Sequence, residues 1–300
     1  MFQKSWLQYL IILAIVMIFV QWFKRQDLSK YYEGFDQDTP YLFKQGDQIY
    51  DDFYVEIHDK LMMPEKRCPF EMKQIVEMTQ PSVEHSSILD IGTGTGELAG
   101  LLSKSGYHVY ALDKSESMIA RVNKKCSGVQ TKCGSAQDPV QYDKGSFSHI
   151  MATGFMVYMV DCPDTFLRNC YYWLKSGGYL VLHVVDRDEF DTIVPAGIPE
   201  LLQNPQDYAK ERIVKTGIDF IDFKYESKYD FSKVNKDEVT FTETFIDDLS
   251  KNVRQQETTL KMKTKRDMIN IAKRVGFLVK GEIRYEHDKH QYLIILERPQ

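Results

Sequence analysis

From residue 86 onward, short apolar runs alternate with segments of helical spacing. Residues 86–91 are an apolar run ending in glycines, 97–105 repeat at helical spacing, and 108–112 return to a strand pattern. The alternation continues with a helix at 116–125, strands at 129–133 and 147–153, a helix at 163–174, and a strand at 179–185 after the turn Ser176-Gly177-Gly178. Strands alternating with helices predict a parallel sheet covered on both faces, an α/β fold. Beyond Asp186 the grammar changes. Phe223, Tyr225, Ser227, Tyr229 and Phe231 alternate with charged residues, and Val239, Phe241 and Phe245 alternate with threonines. Period two over such lengths describes half-buried antiparallel strands, so an insertion is expected at about 215–262. A helix at 265–275 and strands at 277–285 and 292–297 close the chain; the last two strands are too near in sequence for a parallel crossover and must pair antiparallel.

Ahead of this region, 47–63 and 70–79 read as helices punctuated by Pro64, Pro69 and Pro81, and 24–45 as a polar linker with Gly34 and Pro40. Residues 6–23 contain no formal charge over 18 positions, a length that nearly spans a bilayer core as a helix. Trp6, Tyr9, Trp22 and Phe23 lie toward its ends, and Lys24 and Arg25 follow at once. A single transmembrane anchor is therefore expected at 1–23. Bulky Gln21, Trp22 and Phe23 occupy the place where a cleavable signal peptide has small residues. Lys24, Arg25 and Lys30 outnumber Lys4 and the terminal amine, which leans toward a single-pass protein with residues 46–300 on the cytoplasmic side.

Composition narrows the function classes. At 43% hydrophobic and 27% charged, the chain supports one main core, and a net charge of −5 gives no general attraction to nucleic acid. The basic stretch from Lys251 to Lys280 reads as a solvated helix face and strand edge. Five cysteines, Cys68, Cys126, Cys133, Cys162 and Cys170, show neither C-x-x-C pairing nor a His partner at metal spacing, so no disulfide framework and no metal site is expected.

The chemistry concentrates at strand ends, where open parallel sheets bind ligands. Residues 88–97 read I-L-D-I-G-T-G-T-G-E. Gly92, Gly94 and Gly96 give a turn whose missing side chains let a ligand lie against the backbone. A dinucleotide site calls for a third glycine at 97 and a helix N-terminus open to pyrophosphate. Glu97 opposes phosphate, and with Asp90 it suits a cationic ligand. On these residues the chain resembles the class I S-adenosylmethionine-dependent methyltransferases, whose fold is a Rossmann-like, seven-stranded, mostly parallel sheet with an antiparallel last strand. The resemblance runs from about Asp47 to the C-terminus. It implies S-adenosylmethionine as cofactor and, as its ligands, Asp90, Gly92, Thr93, Gly94 and Gly96 at the turn. It further implies Asp113 at the ribose, Ser135 (where the family usually has Asp) and Ala136 at the adenine, and Thr153 beneath the donor. Tyr50, Asp51 and Tyr54 resemble the family's N-terminal lid.

The acceptor is less constrained. His183 at the fifth strand and Glu243 on the apolar face of the insertion are the candidate catalytic residues, with a core histidine and a carboxylate paired to a neighbour such as Arg254 as the structural alternatives. T-G-F-M-V-Y after the fourth strand lacks the Asn/Asp-Pro-Pro-Tyr motif of enzymes that methylate adenine or glutamine nitrogens. With the domain held near lipid by residues 6–23, a small-molecule or lipid-like acceptor is expected. A protein or RNA methyltransferase, a non-catalytic tethered adaptor and a dinucleotide-dependent dehydrogenase are the competing readings.

Overall fold

The computed structural model describes residues 39–198, 204–233 and 235–300, together with Trp6, residues 9–18, Phe35 and Gln37. In chain order the elements are β1 (Tyr41–Gln45), α1 (Asp52–Met62), α2 (Pro64–Thr79), β2 (Ser87–Ile91), α3 (Glu97–Lys104), β3 (His108–Asp113), α4 (Glu116–Lys125) and β4 (Val129–Cys133). They continue with β5 (Phe147–Ala152), α5 (Pro163–Trp173), β6 (Leu174–Val185), β7 (Lys215–Asp219), β8 (Phe223–Asp230), β9 (Glu238–Asp247), β10 (Val253–Lys261), α6 (Lys265–Val275), β11 (Leu278–Arg284) and β12 (Gln291–Glu297).

Seven strands form one sheet in the order β11-β12-β6-β5-β2-β3-β4. β2 pairs parallel with β3 on one side and β5 on the other, while β12 runs antiparallel to both β6 and β11. The apolar run of β2 is buried on both faces, as a central parallel strand requires. Because the chain leaves β2 for β3 on one side and returns as β5 on the other, the order reverses there, and the crevice beyond these strand ends is where the topology prepares a ligand site.

The insertion forms a second sheet, β1-β10-β9-β8-β7. Its last four strands are the expected antiparallel meander. β1 is an addition that lies in the segment read as a linker: Tyr41–Gln45 pairs parallel with β10, Tyr41 opposite Val253. Its five-residue alternation is too short, and its exposure too high, to stand out from a polar linker by pattern. The inner face of this sheet is aromatic, and Phe53 of α1 packs edge-on to Phe245 at 5.3 Å between ring centroids. α1 is thus held between the two sheets.

Three local expectations differ from the structure: the helix read at 47–63 begins only at Asp52, where Asp51 caps it, after a separate turn at Gly46–Ile49. Pro69 does not punctuate α2 but lies within it, early enough that the lost backbone donor interrupts only the first turns. The glycines after α5 stay inside β6: Leu174 pairs with Phe147 and Tyr179 with His149, so residues 175–178 bulge from a strand that begins earlier than expected.

Among the described residues no helix is long and apolar enough to cross a membrane. Residues 9–18 of the expected 6–23 span are helical and the rest of that span, Trp6 apart, lies outside the described residues, so the structure lends the anchor no support.

Candidate functional site

The glycine turn after β2 is built as its sequence requires. Gly92, Gly94 and Gly96 have φ of 65°, 54° and 81°, the left-handed region that other residues enter at a penalty. The turn is tied to β3, since the Gly92 N–H donates to the Leu112 carbonyl at 2.8 Å and the Gly94 N–H to Asp113 Oδ2 at 3.0 Å. Asp113 Oδ1 accepts from the Ser115 N–H at 2.9 Å, so this carboxylate fastens the ends of β2 and β3 together before any ligand is considered. Burial pushes its pKa up, against those two hydrogen bonds.

Asp90 is buried beneath the turn and accepts from Thr93 Oγ1 at 2.7 Å. Burial pushes its pKa up to about 7, offset in part by the Thr93 hydroxyl and reinforced by the charge of Glu71. After β4, Ala136 is buried and its carbonyl accepts from Asn169 Nδ2 at 2.9 Å, while Ser135 is exposed and its hydroxyl accepts from the Gln137 N–H. Asp138 caps the short turn after it, its two oxygens held by the Val140 N–H and Gln141 Nε2. Thr153, buried at the end of β5, accepts the Met156 N–H through its carbonyl. The topology therefore gathers Asp90, Gly92, Thr93, Gly94, Asp113, Ser135, Ala136 and Thr153 at the carboxyl ends of four adjacent strands.

Three residues serve other ends. A Cβ on Gly96 would lie 3.0 Å from Val122 and 3.2 Å from the Cys126 sulfur, so this glycine admits α4 to the turn. Glu97 forms an ion pair with Lys125 at 2.7 Å, so its charge is answered within the protein. Asp51 caps α1 and is bound by Arg254 at 2.9 Å. The same arginine was the partner expected for Glu243, but the β9–β10 register sets Glu243 opposite Gln256 and Arg254 opposite Phe245.

Beside the turn, and bounded by α1, β6 and the second sheet, is a cavity of about 540 Å³. His183 and Glu243 both line it, as do Tyr50 and Tyr54, His58, and Gly154 and Phe155 just beyond β5. His183 Nε2 lies 2.9 Å from Gln291 Oε1, and Gln291 Nε2 donates to Asp288, an orientation that places the ring proton on Nε2. Nδ1 is left as a buried lone pair without a protein partner. Burial, helped by the Arg67 charge, pushes the His183 pKa down to about 3, so the ring is neutral at physiological pH and a weak base. Glu243 is buried and accepts from Tyr54 Oη at 3.1 Å, Tyr225 Oη at 2.8 Å and Gln256 Nε2 at 2.8 Å.

Neither Arg67 nor His58 is among the residues expected from sequence. Arg67 donates to the buried Glu71 at 2.7 Å, and its guanidinium would lie 3.1 Å from a Cβ on Gly154. His58 is 3.7 Å from the corresponding position on Gly94, roofing the turn. A signal for His58 existed: Tyr50, Tyr54 and His58 recur every fourth residue, which puts the last two on one helical face. Asp186, Glu189 and His290 bring ligand atoms within 4.8 Å of one another on the surface, but there His290 pairs with Glu189 at 3.0 Å.

Residues 89–182 match the family model described as a methyltransferase domain. Phosphoethanolamine N-methyltransferase 1 of Zea mays is 30% identical over 105 residues, 33% of this chain and 21% of that protein. The ubiquinone biosynthesis O-methyltransferase of Xanthomonas euvesicatoria pv. vesicatoria is 29% identical over 113 residues, 36% of this chain and 47% of that protein. The chain thus matches less than half the length of either relative. Among solved structures, an S-adenosylmethionine-dependent methyltransferase from Clostridium acetobutylicum superposes with a TM-score of 0.61 at 14% identity, covering 82% of this chain and 98% of that one. An amino pentose methyltransferase from Micromonospora echinaspora, solved with S-adenosylmethionine bound, gives 0.53 at 16% identity over 77% of this chain and 90% of that one. Residues 89–182 are a methyltransferase domain, and the fold is that of S-adenosylmethionine-dependent methyltransferases.

Proposed function

We propose that the protein is an S-adenosylmethionine-dependent methyltransferase whose acceptor is a small molecule. The observation that carries this reading is the coincidence of the matched domain, residues 89–182, with the strand ends that converge beside the cavity. The residues suit the donor chemically. Asp90 is a buried carboxylate whose pKa of about 7 leaves it ready to ionise beside a cation, and Gly94 presents backbone with no side chain of its own beneath the His58 ring. Asp113 stands where a ribose acid is expected and is held by two backbone N–H groups.

When bound, the donor supplies a methyl group already activated by its sulfonium, so the transfer is an in-line displacement and the protein's part is alignment. His183, neutral and held by Gln291, lines the cavity as a weak base, suited to orienting the acceptor molecule rather than to deprotonating it. Glu243 sits on the cavity wall supplied by the second sheet. The test is to incubate the full-length protein with methyl-labelled donor and size-fractionated extracts. Label in small molecules is expected; label confined to protein or RNA overturns the acceptor class, and donor binding without any turnover favours a non-catalytic adaptor.

The reading extends to the N-terminus, where residues 6–23 would tether the domain to the cytoplasmic side of a membrane and bring lipid-like acceptors within reach. Its support is the charge-free length and the basic residues that follow. Full-length protein floating with lipid vesicles after alkaline washing is the expected result; recovery in the soluble fraction rejects the tether while leaving the enzyme standing.

A further inference from the structure

Glu243 lacks what a buried carboxylate ordinarily has. It is 2% exposed, yet its donors are all neutral: the hydroxyls of Tyr54 and Tyr225 and the amide of Gln256. Among the described residues no lysine or arginine is within ion-pair distance of it. Arg254 gives one face to Asp51 at 2.9 Å and donates to Gln256 Oε1 from Nε at 3.2 Å, which turns the Gln256 amide so that Nε2 faces Glu243. Burial pushes the Glu243 pKa up, against the hydrogen bonds from Gln256, Tyr225 and Tyr54. Tyr54 Oη is shared between the two carboxylate oxygens at 3.2 and 3.1 Å, so three neutral donors serve a carboxylate that lines the cavity.

The surroundings point the same way. Tyr50, Tyr54, Tyr229 and Phe241 line the cavity alongside Glu243, and the Tyr229 and Phe241 rings lie 4.5 Å apart. Aromatic faces attract a cation through their quadrupoles, and a buried carboxylate without a counter-charge is stabilised by one. The cavity's Lys66 and Arg67 lie on α2, and Arg67 is paired with Glu71, so the wall from the second sheet is its acidic end. Asp191, the cavity's other acid, is held by Asn204 and the Ile193 N–H.

We infer that the acceptor is an amine, received as its ammonium form by Glu243 and the aromatic wall, and methylated on nitrogen. The inference rests on the proposed function and narrows it. The ammonium yields one proton to the Glu243 carboxylate; the neutral amine then forms the N–C bond as the donor's S–C bond breaks and its electron pair returns to sulfur. The products are a methylammonium and a neutral thioether, and the proton is retained as the Glu243 carboxyl.

The experiment uses the full-length protein saturated with S-adenosylhomocysteine and compares 2-phenylethylamine with 2-phenylethanol, equal in size and differing in charge, by calorimetry near pH 7. The amine is expected to bind at least tenfold tighter. In Glu243→Gln that preference should fall to within twofold, with the alcohol's affinity and that of S-adenosylhomocysteine unchanged. A wild-type protein that binds S-adenosylhomocysteine but shows no preference for the amine, including no binding of either probe, overturns the inference and leaves the proposed function intact. A preference that survives in Glu243→Gln overturns it equally, and if that variant does not fold the wild-type comparison decides alone. Absence of S-adenosylhomocysteine binding overturns the proposed function instead.

Discussion

Gly94 and Asp113 illustrate how single positions constrain the site. A valine at 94 would be forced into a left-handed backbone, and branches beyond its Cβ, already 3.7 Å from His58, would fill the gap under α1. Gly94→Val is expected to abolish donor binding in calorimetry; retained affinity would reject the turn as the donor's seat. Asp113→Ala removes an acceptor that holds the turn and that, under the proposed function, would also take the ribose, and affinity for the donor should fall by about 1.5–3 kcal/mol. Asp113→Asn, which keeps one acceptor oxygen, should fall less. Asp90 makes a pH prediction. Its folded pKa of about 7 exceeds the unfolded carboxylate's, so the folded state holds the extra proton and the stability tied to it is lost as pH rises from about 4 through about 7. The melting temperature of Asp90→Asn should therefore gain on the wild type across that window and hold its lead above it; a constant difference would mean that Asp90 does not titrate there.

At the scale of elements, much of the fold was legible because its signals are local. The α4 and α6 bounds follow from Ser115 and Thr264 capping their own first turns, and from Gly276 ending α6 at φ 118°. β2 announced itself by an apolar run before glycines. What could not be read was pairing at a distance. β1 is a strand only because β10 offers it an edge more than 200 residues away, as the register of Tyr41 with Val253 shows. The partner of Glu97 was hidden for the same reason, since Lys125 comes from another helix. The expected pairing of Glu243 with Arg254 failed for that reason too, since register alone decides it. Arg254 itself is 1% exposed, donates to the Ile49 carbonyl and Asp51, and stacks 4.5 Å over Phe53. Arg254→Ala should destabilise the protein by about 3 kcal/mol, read as a fall in the denaturation midpoint, because Asp51 and the buried carbonyl lose their partner.

For the whole molecule, the two sheets matter less separately than for the cavity they share. The seven-stranded sheet supplies His183 and the donor turn, the five-stranded sheet supplies Glu243, and neither half of the site was adjacent to the other in sequence. Glu243 stood out as a polar residue on an apolar face and His183 as a histidine within a sheet strand; that both line one cavity followed from neither. A ligand that binds the folded state alone raises stability by about 2.7 kcal/mol at 100 times its dissociation constant. S-adenosylhomocysteine at that excess should raise the melting temperature by about 5 °C for a domain of this size, and no shift would argue against a donor site.

α1 has a consequence for the tempo of the reaction. Its His58 roofs Gly94, its Asp59 is bonded to Thr95 and Lys125, and the Tyr50 carbonyl just before it accepts the Ser115 hydroxyl. Under the proposed function, a spent cofactor seated on the turn would leave only when those clasps open together, whereas transfer within the closed cavity would need none of them to move. Departure should then pace each cycle: mixing enzyme with both substrates is expected to give a rapid burst of about one methylated product per enzyme, followed by a slower steady rate, in a rapid-quench time course. Asp59→Ala, which unfastens one clasp, should quicken the slow phase and leave the burst unchanged.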